Sequence, residues 1–128
     1  MQREIINNIN IINSKIEELC TSVKRDKNEI TLIAVSKKKS HELIEIALDN
    51  GIENFGENYA QELKEKSFLI NSEKIIWHFI GPIQSNKVKI IANHADWIHS
   101  LEREKIIKKL DTECKKINKT INACLQVN

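Results

Sequence analysis

The residue best placed for chemistry lies at the end of an apolar segment. Residues 30–36 are rich in β-branched side chains and lead directly into Lys37, which is followed by Lys38 and Lys39. The composition predicts a buried strand, on which Lys37 continues an apolar row. A surface lysine is the simpler interpretation. The alternative is an amine at the mouth of a parallel sheet, where two neighbouring cations would ease loss of its proton and an aldehyde could form a Schiff base with it.

Other candidate residues give weaker signals. His78 and His99 lie in neighbouring predicted strands and could approach each other, but no carboxylate at helical spacing completes a metal site. Hydrogen-bonded strand histidines are therefore the favoured interpretation. His41 and His94 are expected at helix ends or in surface loops. Glu57 follows a glycine at a strand end, yet the sequence indicates no second acid to pair with it.

Composition limits the classes of function. The 128 residues are 41% hydrophobic and 30% charged, as in one globular unit. The 20 basic and 18 acidic residues are interspersed and give a net charge of +2, which argues against a nucleic-acid or membrane surface. Only three glycines are present, and neither a glycine-rich phosphate loop nor a nucleophile elbow occurs.

The cysteines indicate a reducing compartment. Cys20, Cys114 and Cys124 are odd in number and widely spaced, which predicts free thiols rather than disulfides or a zinc site. The N-terminus lacks a signal-peptide layout, and no segment has the apolar length of a membrane span. We therefore expect a cytoplasmic protein.

Hydrophobic periodicity predicts strands and helices that alternate after a leading helix. Helices are expected over about 3–23, 40–50, 58–70, 84–92 and 100–117, and strands over 30–37, 52–55, 75–80, 97–99 and 121–127. The leading helix carries an apolar stripe that is expected to pack on its own domain. The predicted N-caps are Ser40, Ser100 and Asn58, the last in a capping box with Gln61.

This order of elements predicts an α/β fold with parallel strands and right-handed crossovers. The pattern does not choose between an open doubly wound sheet and a barrel. The chain ends on a predicted strand at roughly half of the ~250 residues of a closed eightfold barrel. We therefore expect residues 1–128 to be the N-terminal part of one domain that is incomplete at its C-terminus.

Three motifs carry a family resemblance. AVSK at 34–37, FGENY at 55–59 and WHFIGPIQSNK at 77–87 resemble, in order and spacing, the pyridoxal phosphate homeostasis proteins of the YggS (PROSC) type. The similarity extends along essentially the whole chain and includes DWIHS at 96–100. The resemblance implies a (β/α)8 TIM-barrel fold like the N-terminal domain of alanine racemase. Of that barrel this chain would form about the first half, with a leading helix.

The resemblance also implies a cofactor and its ligands. Lys37 matches the lysine that forms the Schiff base with pyridoxal 5′-phosphate (PLP), and Asn58 matches a residue near that cofactor. Two departures are expected to matter. The family usually has proline shortly after the lysine, where this chain has residues 39–41 as KSH. The family's phosphate cup and its arginine at the pyridine nitrogen would lie beyond Asn128.

The implied function is PLP homeostasis through storage, delivery or buffering, without catalytic turnover. PLP and, as recipients, PLP-dependent apo-enzymes are the expected partners, and a monomer is expected at full length. A racemase-like enzyme is one alternative, although racemisation needs an acid/base pair on the two faces of its substrate. The other alternative is a fragment that no longer binds PLP and only packs on a partner.

Overall fold

Five strands form a single parallel sheet in this computed structural model, which describes residues 1–128. The strands are β1 (Ile33–Val35), β2 (Asn54–Glu57), β3 (Ile76–Phe79), β4 (Trp97–Leu101) and β5 (Asn122–Leu125). The helices are α1 (Gln2–Ser22), α2 (His41–Asp49), α3 (Ala60–Leu69), α4 (Val88–His94) and α5 (Glu104–Lys116). Two single 3₁₀ turns lie at Lys27–Glu29 and Ser85–Lys87. The predicted leading helix and strand–helix alternation are confirmed.

The strand order decides between the two architectures that the sequence pattern left open. The strands are hydrogen-bonded in the order β1-β2-β3-β4-β5, so each crossover advances by one strand in the same direction. A doubly wound sheet instead reverses its order at a switch point. Sequential parallel order is the arrangement of a (β/α) barrel, of which these five strands form a part.

The core lies between the sheet and its helices. Phe55, Phe79 and Ile98 point to the helices and are almost completely buried. Leu63 from α3 and Ile91 from α4 meet them, also without exposure. Alternation along each strand therefore places one side-chain row in a helix-covered core, as the sequence predicts.

The opposite side of the sheet, here called the open face, is not covered by helices. It carries a cavity of about 480 Å³ lined by Thr31, Ile33, Asn54, Ile76, His78, Trp97 and His99. Val35 shares this face and is 53% exposed. The prediction of a fully buried first strand is wrong for this row, because parallel strands are buried on both sides only when both faces are covered.

Helix α1 is partly covered by its own domain. It packs against α2 and buries Ile9 and Cys20. Ile12 and Leu19 of the same predicted stripe remain largely exposed, Leu19 at 64%. The expected packing is therefore confirmed for one side of the stripe only.

Helix starts are the least accurately predicted boundaries. Ser40 does precede α2, but its side chain makes no hydrogen bond to the helix backbone. The capping box of Asn58 and Gln61 is wrong, because α3 begins at Ala60 after Tyr59. The end of α2 at Asn50 is as predicted.

Two predicted strand ends are wrong because pairing extends the strands. Ser100 does not cap a helix, since β4 continues to Leu101, which pairs with Leu125 of β5. The Ser100 hydroxyl instead donates to the carbonyl of Gly81. Strand β2 continues through Gly56 to Glu57, whose partner on β3 is Phe79.

The absence of disulfides is as predicted, since all three cysteines are free thiols. None of the helices combines the length with the apolar character that a membrane-spanning segment requires.

Candidate functional site

The two predicted site residues follow neighbouring strands. Val35 pairs with Gly56 at the end of the β1–β2 ladder, after which Lys37 lies in a turn closed by the Lys39 N–H on the Ser36 carbonyl at 3.1 Å, and Asn58 follows Glu57 at the end of β2. Both residues follow the carboxyl ends of their strands, which is where parallel α/β folds place their chemistry. Lys37 is exposed, and its amine has neither an ion-pair partner nor a hydrogen bond.

Asn58 is held in place by a close backbone approach. A Cβ atom on Gly81 would lie 2.3 Å from the Asn58 carbonyl oxygen and 2.8 Å from its Cα, so only glycine fits there. The Asn58 side-chain oxygen Oδ1 is buried and has no hydrogen-bond donor. Buried acceptors are usually paired, so this oxygen is available to a donor from a bound water or a ligand.

A buried ionic group lies under the same strand ends, on the side of the helices. We call Ser36, Glu57, Glu62 and Lys66 the Lys66 cluster. The Lys66 Nζ atom donates to the Ser36 carbonyl at 2.7 Å, to Glu57 at 2.9 and 3.1 Å, and to Glu62 at 2.6 Å. Lys66 is 5% exposed and Glu57 is fully buried. The three ammonium protons thus have partners just after β1, on β2 and on α3, and the Lys66 ammonium is fully paired.

The Lys66 cluster also reaches the turn that carries Lys37. The Ser36 hydroxyl donates to Glu57, and the backbone N–H of Lys38 donates to Glu62. The peptide groups before and after Lys37 are therefore both tied to the cluster. Lys38 has a φ of +59°, which costs energy in an L-residue, and its ammonium lies 5.9 Å from the centre of the Tyr59 ring.

Burial dominates the electrostatics of the Lys66 cluster. It raises the pKa of Glu57 above its usual range, although hydrogen bonds from Ser36 and Lys66 act in the opposite direction. The second carboxylate, Glu62, adds to the rise. A single ammonium thus faces two carboxylates, and ionisation of Glu57 depends on Lys66 remaining in place.

Sequence reasoning missed this cluster, although a signal was present. Lys66 occupies a position of the α3 stripe between Leu63 and Ile70, and this position predicts an apolar side chain. In the sequence, Lys66 interrupts the helix pattern, and Glu57 is an acid without an evident partner. The two irregularities explain each other, because Lys66 and Glu57 form a buried ion pair at 2.9 Å.

The two strand histidines are neighbours, as predicted. His78 Nδ1 lies 2.8 Å from His99 Nε2, and His78 Nε2 lies 2.8 Å from Asn54 Oδ1. Trp97 stacks on His78 at 5.9 Å between ring centres. Burial and then the neighbouring His99 lower the pKa of His78 to about 4, with Asp96 acting in the opposite direction. The favoured interpretation of hydrogen-bonded histidines is confirmed, and no group of side chains suited to a metal ion occurs.

The remaining histidines lie at helix ends, as expected. His41 opens α2 and lies 3.2 Å from Glu42. His94 closes α4, and its Nδ1 lies 2.9 Å from the Ser67 hydroxyl. Burial lowers the pKa of His94.

Comparison with known proteins identifies the relatives of the chain. It is 41% identical over 126 residues to the pyridoxal phosphate homeostasis protein of Haemophilus influenzae, a match that covers 97% of this chain and 53% of that protein. The proteins of the same name from Pseudomonas aeruginosa and Escherichia coli K12 are 40% and 38% identical. This chain is a homologue of the pyridoxal phosphate homeostasis proteins. It spans about half the length of the curated relatives it matches. No family model matches it.

Solved structures agree with this relationship. PipY of Synechococcus elongatus, solved without PLP and with PLP bound, matches with TM-scores of 0.77 and 0.76 at 32% and 33% identity. Each match covers 88% of this chain and about half of PipY, 53% and 54%. A protein from Bifidobacterium adolescentis matches with a TM-score of 0.84 at 23% identity, which shows the shared fold alone. The predicted resemblance to these proteins and the partial barrel are thereby confirmed.

Proposed function

We propose that this chain serves PLP homeostasis by holding PLP through Lys37 rather than by catalysing a reaction. The observation that supports the proposal is the exposed, unpaired amine of Lys37 just after β1, with Asn58 just after the neighbouring strand β2. Its homologues are named pyridoxal phosphate homeostasis proteins, and the related PipY has been solved with PLP bound. The transfer of cofactor to PLP-dependent apo-enzymes belongs to the same proposal.

The two residues suit the chemistry of this cofactor. When bound, PLP supplies an aldehyde that an amine can capture with loss of water. Lys37 supplies an amine that is exposed and not engaged by a carboxylate. Asn58 supplies a buried acceptor that lacks a donor. The pair can thus capture an aldehyde and accept one hydrogen bond from the same molecule.

The state of Glu57 favours a carrier over an enzyme. Racemisation or transamination needs a group that moves a substrate proton. Glu57 is the acid at the end of β2, but it is fully buried and bonded to Lys66 and Ser36. A carboxylate held in this way is not free to reach a substrate on the open side of the sheet.

We further propose that residues 1–128 are part of one barrel domain rather than a domain of their own. The sheet leaves its open face uncovered, and β1 and β5 each have a free edge. Unpaired edges are normally covered or closed in stable sheets. The domain proposal predicts that further strands would close this sheet around the open face. Such a barrel would act as a monomer.

The first experiment measures capture of PLP by this chain. Absorbance is recorded with added PLP, the adduct is fixed with borohydride, and the modified lysine is found by peptide mapping. We expect modification concentrated at Lys37, loss of the absorbance band in Lys37→Ala, and retention of the band in Lys38→Ala. The neighbouring lysine is the matched control, since it carries the same charge one residue away. Equal loss in both variants would overturn the assignment.

A chimera tests the domain proposal. This chain would be joined to the second half of the Haemophilus influenzae relative, and PLP binding compared with that of the 128-residue chain. We expect binding at least tenfold tighter in the chimera, because added strands would supply further contacts to the phosphate. Unchanged affinity would count against one shared barrel domain.

The catalytic alternative is tested in the same preparations. PLP-loaded protein is incubated with single L-amino acids, and the D-isomers are measured by chiral chromatography. We expect no turnover above free PLP. Conversion that requires Lys37 would favour a racemase-like enzyme and contradict the carrier proposal.

A further inference from the structure

The Lys66 cluster lies between α3 and the sheet, a place where packing of apolar side chains would be enough to hold the helix. Burying an ammonium and two carboxylates is costly, and apolar side chains of similar volume often stabilise a core equally well. Charged side chains differ from apolar ones in that they form directed hydrogen bonds. Two of these bonds end on the Ser36 carbonyl and the Lys38 N–H, which flank Lys37.

The conformation of Lys38 needs such bonds. Three non-glycine residues have positive φ: Lys24, Lys38 and Asn118. Lys24 and Asn118 directly follow the C-caps of α1 and α5, where this conformation is common. Lys38 instead lies in a turn between a strand and a helix. A conformation of this kind persists only where its surroundings determine it. Here the Lys39 N–H closes the turn on the Ser36 carbonyl at 3.1 Å, and Glu62 binds the N–H of Lys38 itself.

The cluster is buried, whereas the Lys37 amine is exposed. Ser36 and Glu57 are buried and bonded to Lys66, which also bonds to Glu62. The cluster meets the Lys37 turn through backbone groups, the Ser36 carbonyl and the Lys38 N–H. Its role toward Lys37 is one of position and not of direct contact.

We propose that the Lys66 cluster is a positioning device that fixes the direction of the Lys37 side chain, with Lys66 and Glu62 as its positioning residues. Lys66 holds the carbonyl before Lys37 and Glu62 holds the N–H after it, so the Lys37 Cα–Cβ bond has one direction. This role rests on the proposed capture of PLP by Lys37. The cluster selects Lys37 over Lys38 and Lys39, which follow it in the chain.

Matched variants separate positioning from stability. Glu62→Ala removes the acceptor of the Lys38 N–H, whereas Glu62→Gln keeps a side-chain oxygen at that position. Lys66→Met removes the central ammonium. Lys119→Met is its control, because Lys119 is a half-buried lysine that also bonds to backbone carbonyls, those of Ala92 and Ala95, away from the Lys37 turn.

The first readout does not involve PLP. Hydrogen exchange of the Lys38 amide is measured by NMR in each variant under folding conditions. We expect exchange at least tenfold faster in Glu62→Ala and Lys66→Met, and within threefold of the native rate in Glu62→Gln and Lys119→Met. Glu62 is partly exposed, so its two variants keep the test available if Lys66→Met does not fold.

The second readout is the distribution of the label after incubation with PLP and borohydride. We expect the share of label at Lys37, relative to Lys38 and Lys39, to fall at least fivefold in Glu62→Ala and to be restored in Glu62→Gln. Native selectivity that persists in Glu62→Ala would overturn the positioning role while leaving the proposed function intact. If the native chain does not label Lys37, the proposed function fails, and amide exchange alone then decides whether the cluster orders the turn.

Discussion

Replacement of Gly81 by alanine tests how β2 and β3 hold Asn58. A methyl carbon on Gly81 would lie 2.3 Å from the Asn58 carbonyl oxygen, although such carbons stay at least 3.0 Å from other atoms. The two loops must therefore separate by at least about 0.7 Å at this point. Both partners of the clash are backbone, so a side-chain rotation cannot relieve it. We expect a loss of about 3 kcal/mol in the free energy of unfolding.

The other glycines of the chain provide graded controls. Gly51 has open space around its missing side chain but a φ of +95°, so Gly51→Ala should cost about 1 to 2 kcal/mol through backbone strain. In Gly56→Ala the new methyl meets flexible side chains, with Ile80 at 3.0 Å and Ile33 at 3.3 Å. These can shift, and we expect a loss below about 1.5 kcal/mol.

Urea unfolding followed by circular dichroism measures all three variants. With a slope of about 2 kcal/mol per molar, the midpoint of Gly81→Ala should fall by about 1.5 M, which is well outside error. NMR of the same variant should show the largest amide shifts around Asn58. A midpoint for Gly81→Ala no lower than that of Gly56→Ala would refute the close approach of these loops.

Three further outcomes are expected. The pKa of His78 is about 4 in the folded chain and 6.5 ordinarily, so the unfolded chain takes up this proton first as the pH falls. The free energy of unfolding should therefore keep its full His78 contribution above pH 6.5 and decrease by about 2 to 3 kcal/mol toward pH 4. In His78→Gln, urea unfolding at several pH values should show a flatter slope. Lys119→Met should cost about 2 kcal/mol in urea unfolding, because it leaves two buried carbonyls unpaired. With a thiol reagent, Cys124 should react fast and the buried Cys20 and Cys114 slowly, the more so for Cys114 because burial raises its pKa. Equal reaction rates for the three thiols would contradict this packing.

Local pattern predicted most of the elements but not their ends. The alternation of apolar residues in 75–80 gave the correct two faces of β3, because a strand's side-chain period does not depend on its neighbours. The end of β4 does depend on them, since Leu101 remains in the strand by pairing with Leu125. Ser100 has the residue type of an N-cap, and only the pairing of β4 shows that it is not one.

The proposed site depends in part on local pattern for the same reason. The sequence singles out Lys37 by its position after a strand and by the motif around it, and Asn58 follows the strand that pairs with this one. Lys66 could not be identified, because its burial depends on a carboxylate nine residues earlier in the chain. From sequence alone, a lysine on an apolar helix stripe is expected to interrupt the stripe and to extend into solvent. Only the position of Glu57 in space shows that Lys66 is buried instead.

The arrangement of charges separates the two lysines that matter most. Lys66 and Lys37 both lie near the ends of β1 and β2, yet only Lys66 has carboxylate partners. A carboxylate paired with Lys37 would stabilise its ammonium form and reduce its reactivity toward an aldehyde. Glu57 and Glu62 are instead bonded to Lys66, which neutralises part of their charge. Lys37 has no carboxylate partner, and this difference suits the capture of an aldehyde that we propose for it.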